Sequence, residues 1–181
     1  ERSYANLVKN MSGVVYRCRN DREWTIEFIS ERCFDVTGYR ADELLGNRVA
    51  SFNSIMHPDD AGPTWEKCQA SLAARKACRN EYRIIHRSGE IRWVWDQALG
   101  VYSDSGELLC IEGLLSDITE RKRAEAALRE SEERFRATFE NAPVGIMHTA
   151  IEDNQILRVN PKLCELLGYT REELLRLKTD E

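Results

Sequence analysis

Hydrophobic and polar positions alternate along two stretches near the start of the chain, residues 11–19 and 24–30. A period of two is typical of half-buried strands, and Asn20-Asp21 between the stretches predicts a turn. The pattern therefore predicts an antiparallel hairpin. The side chains expected to face the core from its second strand are Trp24, Ile26 and Phe28.

The pattern then changes to helical spacing. Residues 31–34 and 40–45 predict two short helices, separated and ended by Gly38 and Gly46. His57-Pro58-Asp59-Asp60 opens a longer helix, because acidic residues in a first turn suit the positive end of the helix dipole. Its predicted apolar face carries Trp65, Cys68 and Leu72.

From Asn80 the period returns to two, and three strands follow. Turns at residues 87–90 and 104–106 separate them, and the last strand covers residues 108–115. In the middle strand, Ile91, Trp93 and Trp95 share one face. The predicted fold class is α+β, with a five-stranded antiparallel sheet and short helices on one face.

A long charged helix is predicted after the last strand. Asp117 can cap its start, with Glu120 three residues later, and no Gly or Pro interrupts it before Phe139. A thin apolar seam follows a spacing of four and three: Ala124, Leu128, Ser131 and Phe135. Two interpretations stay open, a weak parallel coiled coil in a homodimer and a solvated spacer helix.

The sequence then repeats. Gly38-Tyr39 and the Asp42-Glu43-Leu44-Leu45 run match Gly168-Tyr169 and Glu172-Glu173-Leu174-Leu175 at an offset of 130 residues, and residues 10–15 match 141–146 at an offset of 131. Such an offset indicates tandem domains. We expect a complete domain at 1–116, a linker helix at 117–139 and the beginning of a second domain at 140–181.

Composition excludes several classes of protein. Among 181 residues the net charge is −5, which argues against nucleic-acid binding, and no apolar run reaches the length of a membrane span. Six cysteines without a Cys-x-x-Cys pair predict reduced thiols and a cytoplasmic location. The start at Glu1 and the apolar-rich end suggest a piece of a longer protein, whose anchoring in a membrane stays open.

The ordered motifs of the first domain resemble the PAS superfamily. They are Gly38-Tyr39, residues 42–46, His57-Pro58-Asp59-Asp60, Glu81-Tyr82-Arg83, Arg92-Trp93-Val94 and the run Asp117-Ile118-Thr119-Glu120-Arg121-Lys122. The resemblance implies a PAS fold that acts as a sensor, a dimerisation module and a signal relay. In bacterial sensory-box proteins such domains precede histidine kinase, diguanylate cyclase or cyclic-di-GMP phosphodiesterase domains.

The resemblance also implies a signal-transfer motif and a pocket. The motif ties the last strand to the output helix and falls on Asp117, Ile118, Thr119 and Arg121. The pocket lies between the inner face of the sheet and the small helices. Its candidate lining residues are Ile26, Phe28, Phe34, Leu45, Phe52, Ile55, Leu72, Tyr82, Ile84 and Trp95.

We expect no tightly bound cofactor, although a small organic ligand and a filled core both remain open. Residues 46–52 lack the cysteine with which flavin-binding light sensors form an adduct. Haem needs an axial ligand, and none of His57, His86 and His148 stands clearly on an inward face. The spacing of Cys and His predicts no metal site.

No catalytic residue is predicted within the chain. The acidic pairs Asp59-Asp60 and Glu172-Glu173 are explained by favourable interaction with the positive ends of helix dipoles. Neither a phosphate-binding loop nor a nucleophile elbow occurs in the sequence. Two functions remain: a ligand-responsive sensor, or a structural dimerisation and interaction module without a ligand. A third, weaker hypothesis is redox sensing through Cys33, Cys68 and Cys110.

Overall fold

A computed structural model describes residues 13–177 and divides the chain into two compact units, one ending at Lys122 and the other beginning at Arg123. Residues 10–12 of the predicted first strand and repeat lie outside the described residues, as do the start of the first predicted domain and the end of the second. Each unit is described by itself.

The first unit has the predicted order of elements. It contains β1 (Val14–Cys18), β2 (Ile26–Ile29), α1 (Cys33–Thr37), α2 (Ala41–Leu44), α3 (Phe52–Ile55), α4 (Pro58–Ala73), β3 (Cys78–Ile85), β4 (Ile91–Tyr102) and β5 (Leu108–Asp117). Only α3 was missed, because a single turn leaves no periodicity in the sequence. Ser51 caps it by accepting a hydrogen bond from the Ser54 N–H.

The five strands form one antiparallel sheet in the order β2-β1-β5-β4-β3. The predicted α+β class and five-stranded sheet are therefore confirmed. The core lies on one face of the sheet, beneath the helices. Its most deeply buried side chains include Val14, Leu44, Ile84, Val94, Ile111 and Leu115.

Two residues predicted on the inner face lie outside it. A register shift opposite Arg17 and Cys18 removes the alternation of β2, so Ile26 and Ile29 are buried and Phe28 is 47% exposed. In α1, the buried side chains are Cys33, Val36 and Thr37, at helical spacing. Phe34 belongs to the opposite side and is 54% exposed.

Ile91, Trp93 and Trp95 of β4 share one face as predicted, but the pocket position predicted for Trp95 was wrong. Asn80 and Tyr82 of β3 are buried, and they pair directly with Asp96 and Val94 of β4. Directly opposed residues of paired strands share a face, so the inner face of β4 carries Val94, Asp96 and Ala98. Trp95, with Trp93 and Ile91, lies on the outer face.

Helix α5 (Thr119–Glu140) begins in the first unit and ends in the second. The second unit continues with β6 (Met147–Thr149), β7 (Ile156–Val159), α6 (Pro161–Leu167) and α7 (Arg171–Leu174). Strands β6 and β7 form a separate antiparallel pair, which packs with α6 and α7 around Ile156, Val159 and Leu174.

The internal repeat extends to hydrogen bonds. Ser30 Oγ accepts from the Val15 N–H at 3.1 Å, and Asn160 Oδ1 accepts from the Ile146 N–H at 2.8 Å. Both positions precede a short helix that ends at a glycine with positive φ, Gly38 (76°) and Gly168 (75°). Residues that lie 130 or 131 positions apart thus make equivalent hydrogen bonds and helix ends in the two repeats.

Candidate functional site

A small cavity lies in the core of the first unit. It is bounded by the inner face of the sheet and by α3 and α4, which contribute Phe52, Thr64 and Cys68. The cavity volume is about 30 Å³. Since one water needs about 10–15 Å³, the cavity has room for two or three waters or a very small organic molecule.

Asp96 is the charged residue at this cavity. It is 8% exposed, and both of its carboxylate oxygens accept hydrogen bonds. The Tyr16 hydroxyl donates to Oδ1 at 2.9 Å and to Oδ2 at 3.0 Å, and the Tyr82 hydroxyl donates to Oδ2 at 3.1 Å. Gly113 lies opposite Tyr16 on β5, and a Cβ there would come within 2.5 Å of the Tyr16 ring.

Burial changes the ionisation of this cluster. Loss of solvation raises the pKa of Asp96 to about 7, although the hydrogen bonds from Tyr16 and Tyr82 act in the opposite direction. The same burial, with the nearby Asp96 charge, raises the pKa of both tyrosine hydroxyls well above the ordinary value. Asp96 therefore changes its charge near neutral pH, whereas the two tyrosines remain neutral donors.

Two thiols form a second polar cluster at the cavity. A hydrogen bond from the Cys68 thiol on α4 is the largest influence that lowers the pKa of the Cys78 thiol on β3. The Asn80 amide also donates to Cys78 Sγ, at 3.1 Å. The sequence singled out Cys33, Cys68 and Cys110 as redox candidates, but Cys78 is the cysteine that lies beside Cys68.

Trp24 contributes an unsatisfied donor to the cavity wall. Trp24 is 7% exposed, and its indole N–H has no hydrogen-bond acceptor among residues 13–177. The backbone of Trp24 has φ of 51°, which is unusual for a bulky residue and is held by a turn around Asp21. An unpaired buried donor carries a desolvation cost of roughly 1–3 kcal/mol.

Three of the ten predicted pocket residues line this cavity: Ile26, Phe52 and Tyr82. Another four are buried or half-buried in the surrounding core without reaching it: Leu45, Ile55, Leu72 and Ile84. Phe28, Phe34 and Trp95 do not reach the inner face, for the reasons given above. The predicted pocket residues did not include Tyr16, Trp24 and Asp96, which line the cavity. The available signal for Asp96 was its position on β4, where it alternates with the apolar residues Val94 and Ala98.

The three histidines lie away from the cavity lining. His57 caps α4, with its Nδ1 3.3 Å from the Asp59 nitrogen, and His86 Nδ1 lies 2.8 Å from Ser88 Oγ. His148 packs against Phe135 and Phe139 in the second unit. Over residues 13–177, no group of three or more His, Cys, Asp or Glu side chains could hold a metal ion.

The residues Asp117-Ile118-Thr119, here called the junction, connect β5 to α5. Asp117 Oδ1 accepts a hydrogen bond from the Thr119 N–H at 2.8 Å. Thr119 is buried, and its Oγ1 accepts from the Trp93 N–H of β4 at 3.0 Å. The Ile118 N–H donates to the Trp93 carbonyl at 2.9 Å. The start of α5 is thus bonded to the backbone of β4.

Ion pairs add a second attachment. Glu81 of β3 pairs with Arg121 at 2.7 Å and with Lys122 at 2.6 Å, and these two cations lower the pKa of its carboxyl. The Lys122 ammonium also lies 5.2 Å from the centre of the Trp93 ring. The first turn of α5 therefore contacts both β3 and β4.

The predicted seam residues of α5 are all exposed within the chain. Leu128 is 62% exposed, and Ala124 and Ser131 are also exposed. Phe135 is partly engaged in the second unit, where its ring stacks on Phe139 with the ring centres 5.7 Å apart. No helix in the described part of the chain has the length and apolarity needed to cross a membrane.

Comparison with known proteins identifies this architecture. A family model of the PAS fold matches residues 26–115, and a second model, of a PAS domain, matches residues 133–181. The chain belongs to the PAS domain family. Both halves of the internal repeat are therefore PAS sequences, as the ordered motifs of the first domain indicated.

The PAS region resembles parts of several sensor proteins. It is 30% identical over 126 residues to a methyl sulfide methyltransferase-associated sensor of Methanosarcina acetivorans, covering 69% of this chain and 12% of that protein. It is 27% identical over 178 residues to the two-component sensor PprA of Pseudomonas aeruginosa, covering 97% of this chain and 19% of that one.

A solved structure gives the same result at the level of the fold. A sensory box histidine kinase/response regulator from Burkholderia thailandensis superposes with a TM-score of 0.60 and 28% identity. The match covers 76% of this chain and 99% of that structure. The chain thus spans only a small part of the curated sensors but nearly all of a solved PAS structure.

Proposed function

We propose that the chain is the PAS sensor and relay region of a multidomain signalling protein, in which changes at the cavity reach α5 through β4. One observation carries this proposal. Strand β4 bears Asp96 at the cavity and, three residues earlier, Trp93, whose backbone bonds to the junction. A shift of β4 therefore displaces the hydrogen-bond partners of the start of α5.

The relatives support a sensory role. Each of the three that were compared is a sensor or a sensory-box kinase by name. By analogy, the parent protein carries a histidine kinase or a cyclic-di-GMP output domain, and it belongs to a bacterial signalling system. This chain supplies the sensing part rather than the catalytic one.

Three further features belong to the same proposal. The domain division is 1–116, 117–139 and 140–181, and the end of the first family match at residue 115 supports its first boundary. The exposed seam at Ala124, Leu128, Ser131 and Phe135 forms a coiled coil in a homodimer. Six cysteines without a disulfide support a reducing, cytoplasmic location.

Hydrogen exchange tests the relay. Asp96→Asn removes the charge at the cavity, and we expect it to change the exchange rate of the α5 amides 119–126 at least threefold. Thr119→Val removes the acceptor for the Trp93 N–H. In the double variant, the response to Asp96→Asn should shrink, because coupled sites give non-additive effects.

The matched control is Asp104→Asn, the same change at an exposed turn residue that follows the end of β4 remote from Trp93. It should leave exchange in α5 unaltered. Equal exchange rates of the α5 amides in the Asp96→Asn and Asp104→Asn chains would contradict the relay. Strictly additive effects of Asp96→Asn at the cavity and Thr119→Val at the junction would also contradict it.

The small size of the cavity favours one alternative, a structural dimerisation and interaction module with a filled core. In that case α5 would still form a dimer, but neither a small molecule nor Asp96→Asn would alter its exchange. The hydrogen-exchange experiment therefore separates the two functions.

A further inference from the structure

The cavity combines a buried acid with aromatic walls and lacks a basic partner. Of its fourteen lining residues, all within the described part of the chain, none is Lys or Arg. Four are aromatic: Tyr16, Trp24, Phe52 and Tyr82. Asp96 thus sits among aromatic rings, and among residues 13–177 its only hydrogen-bond donors are two neutral hydroxyls, those of Tyr16 and Tyr82.

The negative charge of the ionised Asp96 is not compensated by a cationic side chain in the cavity lining. A buried carboxylate is costly unless a cation or several hydrogen bonds compensate for its charge. A carboxylate has about four acceptor positions, and two hydroxyls leave at least one of them open. Aromatic ring faces attract cations as well, and rings around a cation are a known means of recognising ammonium groups.

We propose that the cavity binds a small organic cation, a protonated amine of about three or four non-hydrogen atoms, whose nitrogen pairs with Asp96 among the aromatic walls. This inference deepens the proposed sensor function and rests on it. It names the class of ligand, whereas the relay concerns how a change at the cavity reaches α5.

Trp24 supplies an independent observation at the same cavity. Its indole N–H is buried and has no acceptor within the described chain, and its backbone has a strained positive φ. A ligand oxygen would satisfy this donor. The preferred ligand therefore carries a hydroxyl beside its amine, and ethanolammonium should bind more tightly than ethylammonium.

The pH dependence follows from the groups that face Asp96. These are Tyr16 and Cys18 from β1, Cys78 and Tyr82 from β3, and Cys68 from α4. Tyr16, Tyr82, Cys18 and Cys68 all have a raised pKa, so they stay neutral at pH 6–8. Cys78 has a lowered pKa, and its negative charge helps to hold the pKa of Asp96 up.

A cation binds the ionised form of Asp96. With a pKa of about 7, the ionised fraction of Asp96 rises about tenfold between pH 6 and pH 8. Alkylamines stay protonated over this range, as lysine side chains do. The affinity for the cation should therefore increase about tenfold from pH 6 to pH 8.

Titration of the 181-residue chain with ethylammonium chloride, followed by NMR shifts of backbone amides in β3 and β4, tests the proposal. Saturable binding with a dissociation constant in the millimolar range is expected, since a ligand of three atoms cannot bind much more tightly. Ethanol has the same number of heavy atoms but is neutral, and it should bind at least tenfold more weakly. Potassium chloride at equal ionic strength should cause no saturable change in the NMR shifts.

Asp96→Asn should weaken ethylammonium binding at least tenfold, and Asp104→Asn should leave it unchanged. If Asp96→Asn fails to fold, the tenfold pH dependence measured in Cys78→Ser decides the matter, because that variant lacks the other cavity group that ionises between pH 6 and pH 8. Shifts that do not saturate, equal binding of ethanol, or affinity independent of pH would each overturn the proposal. If these binding tests fail but Asp96→Asn and Thr119→Val still have coupled effects on exchange in α5, the relay proposal stands and only the proposal of cation binding is refuted.

Discussion

At the scale of single residues, Asp96 is a carboxylic acid buried in the core of the first unit. Its carboxyl is held by Tyr16 and Tyr82, and burial moves its pKa to about 7 from an ordinary value of 3.8. Between these two values the unfolded chain has lost the Asp96 proton and the folded chain has kept it. Unfolding therefore releases a proton, and the free energy of unfolding falls as the pH rises.

This linkage predicts a pH response that Asp96→Asn removes, because Asn does not ionise. From pH 4 to pH 7, the unaltered chain should lose stability relative to Asp96→Asn by up to about 1.4 kcal/mol per pH unit. Below pH 4 and above pH 7 the difference should be constant. Urea unfolding at pH 4.5, 5.5 and 6.5 measures it.

Tryptophan fluorescence reports the first unit alone, since all four tryptophans lie there: Trp24, Trp65, Trp93 and Trp95. Asp104→Asn, at an exposed position, should follow the unaltered chain at every pH. A difference between Asp96→Asn and the unaltered chain that stays the same from pH 4.5 to pH 6.5 would refute the raised pKa.

The position of Asp96 also shows why the cavity was only partly predictable. A strand with aromatic residues at Trp93 and Trp95 suggests a buried face at those positions. The pairing of β3 with β4 places them outside, where Arg83 and Lys122 lie over the Trp93 ring. Register between strands depends on pairing partners distant in sequence, which alternation within one strand does not encode.

At the scale of elements, the sequence predicted α5 better than it predicted the cavity. Asp117 and the absence of Gly and Pro are local signals, and local signals suffice to start a helix. The link from Thr119 to Trp93 is a contact over 26 residues and left no such signal. The family motif marked these positions without giving their bonding partners.

The outer surface of α5 carries a prediction about assembly. Leu128→Glu should weaken a homodimer at least tenfold, because it places a charge in the proposed apolar seam. Ala126→Glu, an equally exposed alanine off the seam, should leave the dimer intact. Sedimentation equilibrium measures both, and an unchanged mass for Leu128→Glu would contradict the coiled coil.

At the scale of the whole molecule, two PAS sequences share one chain. The offset of 130 residues was visible in the sequence, and equivalent hydrogen bonds at Ser30 and Asn160 show that it reflects shared structure. Their separation into two units was predictable because each repeat has its own apolar core.

The distribution of the cysteines gives each unit its own chemical reporter. Five lie buried in the first unit, at positions 18, 33, 68, 78 and 110, and Cys164 is half-buried in the second. A maleimide reagent should therefore modify Cys164 within minutes and the other five only when the first unit opens. Intact-mass spectrometry would then time the opening of the first unit without any engineered label, with the early adduct on Cys164 as the internal reference. Rapid addition of six adducts together would contradict the burial of the five.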